Sequence, residues 1–235
     1  MGNVLVYLQF LFILRGDLEY SARFAQIDSQ LFITDENDRI LNHFWLERVE
    51  QILAFVYVAP TAQVLELGGR YGSVSYFINK KLVEPSKHVV IEPDSLVLKA
   101  LYKNKVLNSC DYHIETSVLG GSDNTYTLCS DKFGTRTIRS PKNDHNAQQK
   151  ILNVITPEEI QRKYDLKIDT LVVDCEGQME NILHEFPSFL TSIHTVVLEE
   201  DQPKTCSYKY VHDVFAKAGL KLVKQFFMWT VWKKM

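Results

Sequence analysis

The chain has 235 residues, of which 46% are hydrophobic and 23% charged, and its formal net charge is -3. These totals are typical of one globular domain with a sizeable core, and the charge gives no electrostatic reason to expect a nucleic-acid partner. The four cysteines form no C-x-x-C pair, which indicates reduced thiols in a cytoplasmic protein and argues against a zinc site or a disulfide framework.

The first sixty residues (1–60) are predicted to form a helical and apolar extension that packs on the core. Val4 to Leu14 is very apolar, but a membrane span needs ~20 residues, and the segment lacks the basic start and cleavage site of a signal peptide. We expect it to pack on the core or on a second copy, which suggests a homodimer. Asp35 to Val58 has helical spacing with one apolar face.

A strand, a glycine-rich loop and a helix follow in order. Val64–Leu67 is predicted to be the first strand, Gly68 to Gly72 the loop, and Ser73 to Leu82 the helix. A second apolar strand, His88 to Ile91, ends at Glu92, which lies 24 positions after Gly68. This order is typical of a nucleotide-type site, where a carboxylate after the second strand can accept two hydrogen bonds from a ribose diol.

The rest of the chain continues the alternation of helices and strands. Ser122 to Lys150 is polar and is predicted to be an excursion over the site, in which Tyr126 to Cys129 pairs with Thr135 to Ile138. Thr156 and Pro157 are typical of a helix start. The remaining predicted helices are Ser95–Leu107, Met179–Leu190 and Ser207–Ala218, and the remaining strands are Tyr112–Leu119, Ile168–Val173, Thr195–Leu198, Leu220–Phe226 and Phe227–Trp232.

This alternation predicts an α/β fold with a Rossmann-like, doubly wound, mostly parallel sheet of seven strands and an antiparallel edge strand. The ends of four predicted strands carry acidic residues. They are Glu66, Glu92, Asp174 with Glu176, and Glu199 with Glu200 and Asp201. Because ligands bind at the carboxyl ends of the strands in such sheets, we expect these acids to converge on one crevice.

The order of these segments resembles that of class I methyltransferases that use S-adenosylmethionine, and more narrowly that of the FkbM-type family. The resemblance covers roughly residues 62–201. It is carried by Glu66-Leu67-Gly68-Gly69-Arg70-Tyr71-Gly72, Ile91-Glu92-Pro93, Lys103-Asn104 with Asn108, Val172-Val173-Asp174-Cys175-Glu176-Gly177-Gln178-Met179-Glu180, and Val196-Val197-Leu198-Glu199. Arg70 and Val173 depart from the family pattern, and Arg70 is expected to point away from the cofactor or to contact its carboxylate.

The resemblance implies that residues 61–235 form an S-adenosylmethionine-binding domain. It implies cofactor contacts along the chain: the methionine part on Glu66, Gly68, Gly69 and Gly72, the ribose on Glu92 and Pro93, the adenine near Ser117 and Val118, and the sulfonium beside Asp174. It also implies an O-methyltransferase that acts on a hydroxyl of a sugar or glycan.

A hydroxyl is a poor nucleophile at neutral pH, so the reaction needs a general base or a metal. Asp174 is the first candidate for the base and Glu176 the second, with His43, His145 and His184 as alternatives. Asp174, Glu199 and Glu200 would suit Mg²⁺ or Mn²⁺. Four aromatic residues could stack on a pyranose: Trp45, Tyr126, Trp229 and Trp232.

Other functions remain open. A small phenolic or natural-product acceptor would use the same acids, and a methyltransferase-like module without catalysis would bind the cofactor only. An NAD-dependent oxidoreductase is disfavoured, because the loop does not have glycine at the first, third and sixth positions. No Asn-Pro-Pro-Tyr-like segment follows the fourth strand, which argues against methylation of base amino groups.

Overall fold

A computed structural model describes residues 18–130, 135–141 and 151–235. The seven helices, in chain order, are α1 (Leu18–Asp28), α2 (Arg48–Tyr57), α3 (Ser73–Lys81), α4 (Leu98–Leu107), α5 (Pro157–Tyr164), α6 (Met179–Glu185) and α7 (Tyr208–Lys217) among these residues. The strands are β1 (Val64–Leu67), β2 (His88–Ile91), β3 (His113–Glu115), β4 (Val118–Leu119), β5 (Asn124–Ser130), β6 (Thr135–Pro141), β7 (Val154–Ile155), β8 (Thr170–Val173), β9 (Thr195–Glu199), β10 (Leu220–Phe226) and β11 (Trp229–Lys234).

The main sheet has seven strands in the order β10-β11-β9-β8-β1-β2-β3. The strands from β9 to β3 are parallel, which confirms the predicted mostly parallel α/β fold. The antiparallel strand is β11, which pairs with β9 on one side and β10 on the other. It therefore lies second from the edge, whereas the sequence predicted an antiparallel strand at the edge itself.

Helices cover both faces of the sheet. On one face, α5, α6 and α7 pack through apolar side chains such as Ile160, Ile182 and Phe215. On the other face, α1, α2 and α3 pack through side chains such as Phe24, Phe55 and Phe77. Both faces of the parallel strands are buried, as their continuous apolar runs predict. Burial of each such side chain contributes about 1.5–3 kcal/mol.

Helix α2 is shorter than the apolar spacing of its segment predicts. Helix α2 begins at Arg48, and a short 3-10 turn at His43–Trp45 precedes it, so the predicted helix from Asp35 to Val58 is wrong over its first half. Glu47 breaks the helix because its φ of +50° lies in the left-handed region. The apolar segment Val4 to Leu14 lies outside the described residues.

Two other predicted elements are interrupted or end early. The strand predicted from Tyr112 to Leu119 is divided, because β3 joins the main sheet whereas β4 pairs with β7. The helix predicted from Met179 to Leu190 ends at Glu185, two residues before Pro187. The residue before a proline disfavours the helical conformation, which accounts for this end.

The polar excursion contains the predicted hairpin. Strands β5 and β6 pair antiparallel, with Cys129 opposite Arg136 and Tyr126 opposite Arg139. Thr156 begins α5 with a capping box, in which its hydroxyl accepts from the Glu159 N–H and the Glu159 carboxylate accepts from the Thr156 N–H. Residues 131–134 and 142–150 of the excursion lie outside the described part of the chain.

Within the described ranges, no helix combines the length and apolar character that crossing a bilayer requires. The expected homodimer, the expected lack of a nucleic-acid partner, the cytoplasmic location and the division at residue 60 stay predictions.

Candidate functional site

The carboxyl ends of β1, β2, β8 and β9 meet at one crevice, which holds two adjoining cavities. The first is narrow, about 70 Å³, and reaches from Leu67 to β4 and β6. The second has about 300 Å³ and reaches the segment from Trp45 to Glu47. The residues that line both are Gly68, Glu92, Thr135, Asp174 and Glu176. Three of these had been assigned to the cofactor from the sequence.

Gly68 occupies a position that only glycine can fill. Its φ is +93°, and a Cβ atom built on it would lie 1.8 Å from the backbone oxygen of Asp174. Its N–H donates to the oxygen of Ile91 at 3.0 Å, which ties the loop to β2. The first glycine of the loop therefore lets the main chains after β1 and β8 approach each other at the floor of the crevice.

Gly69 and Gly72 serve the packing behind the loop. A Cβ on Gly69 would lie 2.3 Å from Val90 Cγ1, and one on Gly72 would lie 2.8 Å from the hydroxyl of Tyr112. Neither residue lines the two cavities, although both had been predicted to hold the cofactor. Their role in this structure is to admit β2 and the Tyr112 side chain against the start of α3.

Glu92 lies at the end of β2 with 7% of its surface exposed. Its carboxylate accepts the Arg70 N–H at 2.7 Å and the Asp94 N–H at 2.8 Å, one on each oxygen. Burial raises the pKa of Glu92 to about 7. Pro93 lines the first cavity, and Arg70 lines the second, where its guanidinium lies 5.0 Å from the centre of the Tyr71 ring.

The structure does not bring Glu66 to the crevice. Its carboxylate accepts the Ser75 hydroxyl at 2.8 Å and lies 2.8 Å from His88 Nε2, and only 2% of the residue is exposed. These contacts turn Glu66 toward α3 and β2 and engage both of its oxygens. The prediction that it holds the methionine part of a cofactor is therefore corrected: the acid at the end of β1 joins α3 to the sheet.

The two residues predicted near adenine are placed differently from each other. Val118 lines the first cavity, whereas Ser117 does not. The Ser117 N–H donates to the carboxylate of Glu115 at 3.0 Å, in the break between β3 and β4. Of this pair, only the valine faces the crevice.

Three carboxylates from three different elements meet beside the second cavity. They belong to Glu50 of α2, Asp174 after β8 and Glu199 at the end of β9, and one oxygen of each lies within 4.8 Å of the others. Asp174 and Glu199 are hydrogen-bonded to each other. Glu50 is 3% exposed. This group, Glu50, Asp174 and Glu199, is called the acidic triad below.

The pKa values of the triad follow from its burial and its like charges. Burial, and then the charges of Glu199 and Glu47, raise the pKa of Asp174 well above its usual range. Burial, and then the charge of Asp174, raise the pKa of Glu50 in the same way. Burial also raises the pKa of Glu199 to about 7. Burial and like charge therefore both oppose ionisation of the three carboxyl groups.

Glu200 does not belong to this group. Its Oε1 atom is 2.7 Å from both His212 Nε2 and the hydroxyl of Thr230, which turns the side chain away from Asp174. Of the three acids predicted to bind a metal, Asp174 and Glu199 lie in this group and Glu200 does not, whereas Glu50 of α2 lies in it. That any of them binds a metal stays a prediction. Glu176 lines both cavities, and its carboxylate accepts from Gln202 Nε2 at 2.7 Å.

Two acids of the crevice, Glu47 and Glu50, were not predicted from the sequence, because the apolar face of their segment is its dominant pattern. Glu47 lines the second cavity, and its carboxylate accepts the Ser73 hydroxyl. At about 100° per residue, Glu50 lies within about 60° of Leu53 and Ala54, which are both buried. An acid on the buried arc of a helix was the signal that could have identified it.

Of the aromatic and histidine candidates, Trp45 is the one that lines the second cavity, with 56% of its surface exposed. Five others line neither cavity: His43, Tyr126, His184, Trp229 and Trp232. His145 lies outside the described residues.

Comparison with known proteins adds likeness of fold only. No protein-family model matches the chain, and no curated protein matches it. Three similar solved structures have 10–13% sequence identity and TM-scores of 0.47–0.49. An O-methyltransferase from Bacillus cereus in complex with SAH (10%, TM-score 0.49) aligns over 95% of this chain and 94% of its own. A ribosomal protein L11 methylase from Lactobacillus delbrueckii subsp. bulgaricus has 11% sequence identity and a TM-score of 0.47, and it aligns over 80% of this chain and 78% of its own. An NADB-Rossmann superfamily protein from Streptococcus agalactiae has 13% identity and a TM-score of 0.48, and it aligns over 79% of this chain and 67% of its own.

Proposed function

We propose that the protein transfers a methyl group from S-adenosylmethionine to a hydroxyl group of a sugar or glycan. The observation that carries the proposal is the convergence of Gly68, Glu92 and Asp174 on the same two cavities. They follow β1, β2 and β8, whose carboxyl ends form the edge where open α/β sheets hold nucleotide-like ligands. The cofactor would supply a methyl group already activated on a sulfonium cation.

The donor set around Glu92 fits the ribose of such a cofactor. Each oxygen of its carboxylate accepts one backbone N–H, so each keeps a second lone pair for a hydroxyl group. Two vicinal hydroxyls can therefore bind one carboxylate. Gly68 has no side chain, so the floor of the crevice beside Glu92 is free of the Cβ atom that any other residue would place there.

The first cavity is the place for the adenosine portion, and it is covered by β6. Thr135, Arg136 and Thr137 of that strand line it opposite Val118. Ligand sites commonly have 300–1,000 Å³, so a cavity of about 70 Å³ requires the hairpin to move outward when an adenosine enters. Water is excluded when the hairpin returns, which favours methyl transfer over hydrolysis.

Asp174 is the residue we assign as general base. It lines both cavities, and its raised pKa makes it a stronger base than an ordinary carboxylate once its proton has left. Glu199, which is hydrogen-bonded to Asp174, can share the proton that arrives from the acceptor hydroxyl. Glu176 is the second candidate, because it lines the same cavities.

The second cavity is the place for the acceptor. Its volume of about 300 Å³ is at the lower end of the usual range for small-molecule sites. Glu47 and Glu176 offer carboxylate oxygens to hydroxyl groups, and Trp45 offers a ring face on which a pyranose can stack. A phenolic acceptor would use the same base and the same ring.

Calorimetric titration with S-adenosylmethionine and S-adenosylhomocysteine tests the cofactor. We expect micromolar binding to the wild-type chain, and Glu92→Gln should weaken it by roughly 10- to 150-fold, since a hydrogen bond to a charged group contributes ~1.5–3 kcal/mol. Glu158→Gln, which changes an exposed acid on α5, is the matched control and should bind like the wild type.

The two alternatives give different results. A non-catalytic module would bind both ligands and turn over neither sugar nor phenolic acceptors, whereas an enzyme for phenols would methylate a catechol and no sugar. Failure of the wild-type chain to bind either ligand would refute the methyltransferase proposal as a whole.

A further inference from the structure

We propose that the acidic triad is a site for one divalent cation, Mg²⁺ or Mn²⁺, with Glu50 of helix α2 as a ligand beside Asp174 and Glu199. The inference rests on the proposed function and deepens it, because Asp174, the assigned base, would bind the ion directly, and a bound ion can also lower the pKa of an acceptor hydroxyl. It can nevertheless be tested without the cofactor, since the ligands are the side chains of the chain itself.

Glu50 is a deeply buried acid of α2. The side chain is 3% exposed, and within the described ranges no hydrogen bond or ion pair engages its carboxylate. Arg48, two residues before it, pairs instead with Asp28, its Nη1 at 2.6 Å and its Nη2 at 2.9 Å from the two carboxylate oxygens. A carboxylate this deeply buried is stable only as the neutral acid or beside a cation.

The three carboxylates of the triad lie close together. One oxygen from each of Glu50, Asp174 and Glu199 lies within 4.8 Å of the other two. Oxygen ligands lie about 2.0–2.6 Å from Mg²⁺ or Ca²⁺, so two ligands on opposite sides of an ion are roughly 4–5 Å apart. The triad therefore has the spacing of one coordination sphere, and its hard oxygen donors favour Mg²⁺ or Mn²⁺ over softer metals.

The charges around Glu50 are mainly negative. The charged groups with the largest effect on the pKa of Glu50 are four acids: Asp174, Glu47, Glu199 and Glu66. The positive charge of Arg70, which lines the second cavity, lowers the pKa of Glu47 and of Glu92. A divalent ion would compensate the excess negative charge that the folded chain gathers at this point.

The position of Glu50 also gives the ion a second effect. Trp45 and Glu47, which line the proposed acceptor cavity, lie on the same segment and directly precede α2. An ion bound between Glu50 and the ends of β8 and β9 would hold this segment against the sheet. Metal binding would therefore shape the acceptor side of the crevice as well as the base.

The test is titration of the EDTA-treated full chain with Mn²⁺, followed by electron paramagnetic resonance of free Mn²⁺ and by calorimetry, with no cofactor present. We expect one saturable site, and at least a tenfold loss of affinity in Glu50→Gln. Glu200→Gln is the matched control, because Glu200 is held by His212 and Thr230, and it should bind like the wild type. Mn²⁺ should also raise the melting temperature of the wild type but not that of Glu50→Gln.

Three results would overturn the inference: no saturable Mn²⁺ binding to the wild type, equal affinity in wild type and Glu50→Gln, or a loss in Glu200→Gln as large as that in Glu50→Gln. Glu199→Gln serves as the second ligand variant if Glu50→Gln does not fold. Because cofactor binding is measured separately, Mn²⁺ binding without S-adenosylmethionine binding would refute only the proposed function, and the reverse result would refute only the metal site.

Discussion

Replacing Glu185 by glutamine should loosen the β5–β6 hairpin from the rest of the protein. Glu185 is the last residue of α6, and its side chain is 10% exposed. Its carboxylate contacts four groups on or just before the hairpin. They are the Gly121 N–H (2.5 Å), Asn124 Nδ2 (2.8 Å), the Tyr126 hydroxyl (2.8 Å) and Arg139 Nε (2.5 Å).

The expected cost follows from these contacts. Breaking a buried ion pair costs about 3–5 kcal/mol, but Arg139 is 32% exposed and water can replace part of the lost contact. Glutamine also keeps one oxygen as an acceptor. We therefore expect about 2–3 kcal/mol, which corresponds to roughly a 30- to 150-fold increase in the open fraction of the hairpin.

Hydrogen exchange measures this opening. Amides of β5 and β6 should exchange roughly 30- to 150-fold faster in Glu185→Gln, whereas amides of β1 and β8 should be unchanged, because the hairpin forms a sheet of its own. Glu158→Gln should exchange like the wild type. Unchanged protection of the hairpin in Glu185→Gln would refute the reasoning, and equal loss across the main sheet would show that the contact stabilises the whole fold.

Two further predictions concern Gly68 and Lys81. Gly68→Ala should abolish S-adenosylhomocysteine binding in calorimetry and lower the melting temperature. Gly219 has a similar φ of +84°, but no atom lies within 4 Å of a Cβ built on it, so Gly219→Ala should lower the stability by only about 1–2 kcal/mol and bind the ligand normally. Equal losses of stability in the two variants would contradict the predicted clash at Gly68. Burial lowers the pKa of Lys81 to about 7 from 10.5. Between pH 7 and 10.5 the unfolded chain therefore binds a proton at Lys81 that the folded chain lacks. The free energy of unfolding of the wild type should rise with pH in that range by up to about 1.4 kcal/mol per pH unit relative to Lys81→Met. Parallel plots of this free energy against pH for the two proteins, measured by urea unfolding, would contradict the prediction.

The sheet was predictable because its signals are local. The buried runs of β1, β2, β8 and β9 are mainly apolar, with Glu66 of β1 as an acidic exception, and each run ends in or is followed by an acid or a glycine. Parallel strands place such ends at one edge, so the convergence of Glu92 and Asp174 follows from topology alone. The cap of α5 was equally local, since Thr156 and Pro157 determine it within four residues.

The direction of individual side chains was not predictable in this way. Glu66 lies near the end of β1 and Glu92 follows β2, yet Glu66 turns to Ser75 and His88 while Glu92 faces the crevice. Period-two alternation along β1 places Glu66 on the opposite face from Leu67. Which face carries the ligand is decided by helices far away in the sequence.

The acids of α2 show the same limit at longer range. Glu50 reaches Asp174 and Glu199 because α2 packs beside β9, a contact between segments about 149 positions apart in the sequence. No local pattern encodes that distance. The error over Glu200 has a similar origin, because its partners His212 and Thr230 come from α7 and β11, which follow it in the chain.

The same separation orders events during synthesis. At about 5–20 residues per second, roughly 7–30 s pass between the translation of Glu50 and that of Glu199. Until β8 and then β9 have been made, α2 lacks strands on which its apolar face packs, and that face stays open to chaperones and to neighbouring nascent chains. The crevice is therefore a late product of folding, and a ribosome-bound chain of about 150 residues would contain the glycine loop and Glu92 without any site for an acceptor or a metal.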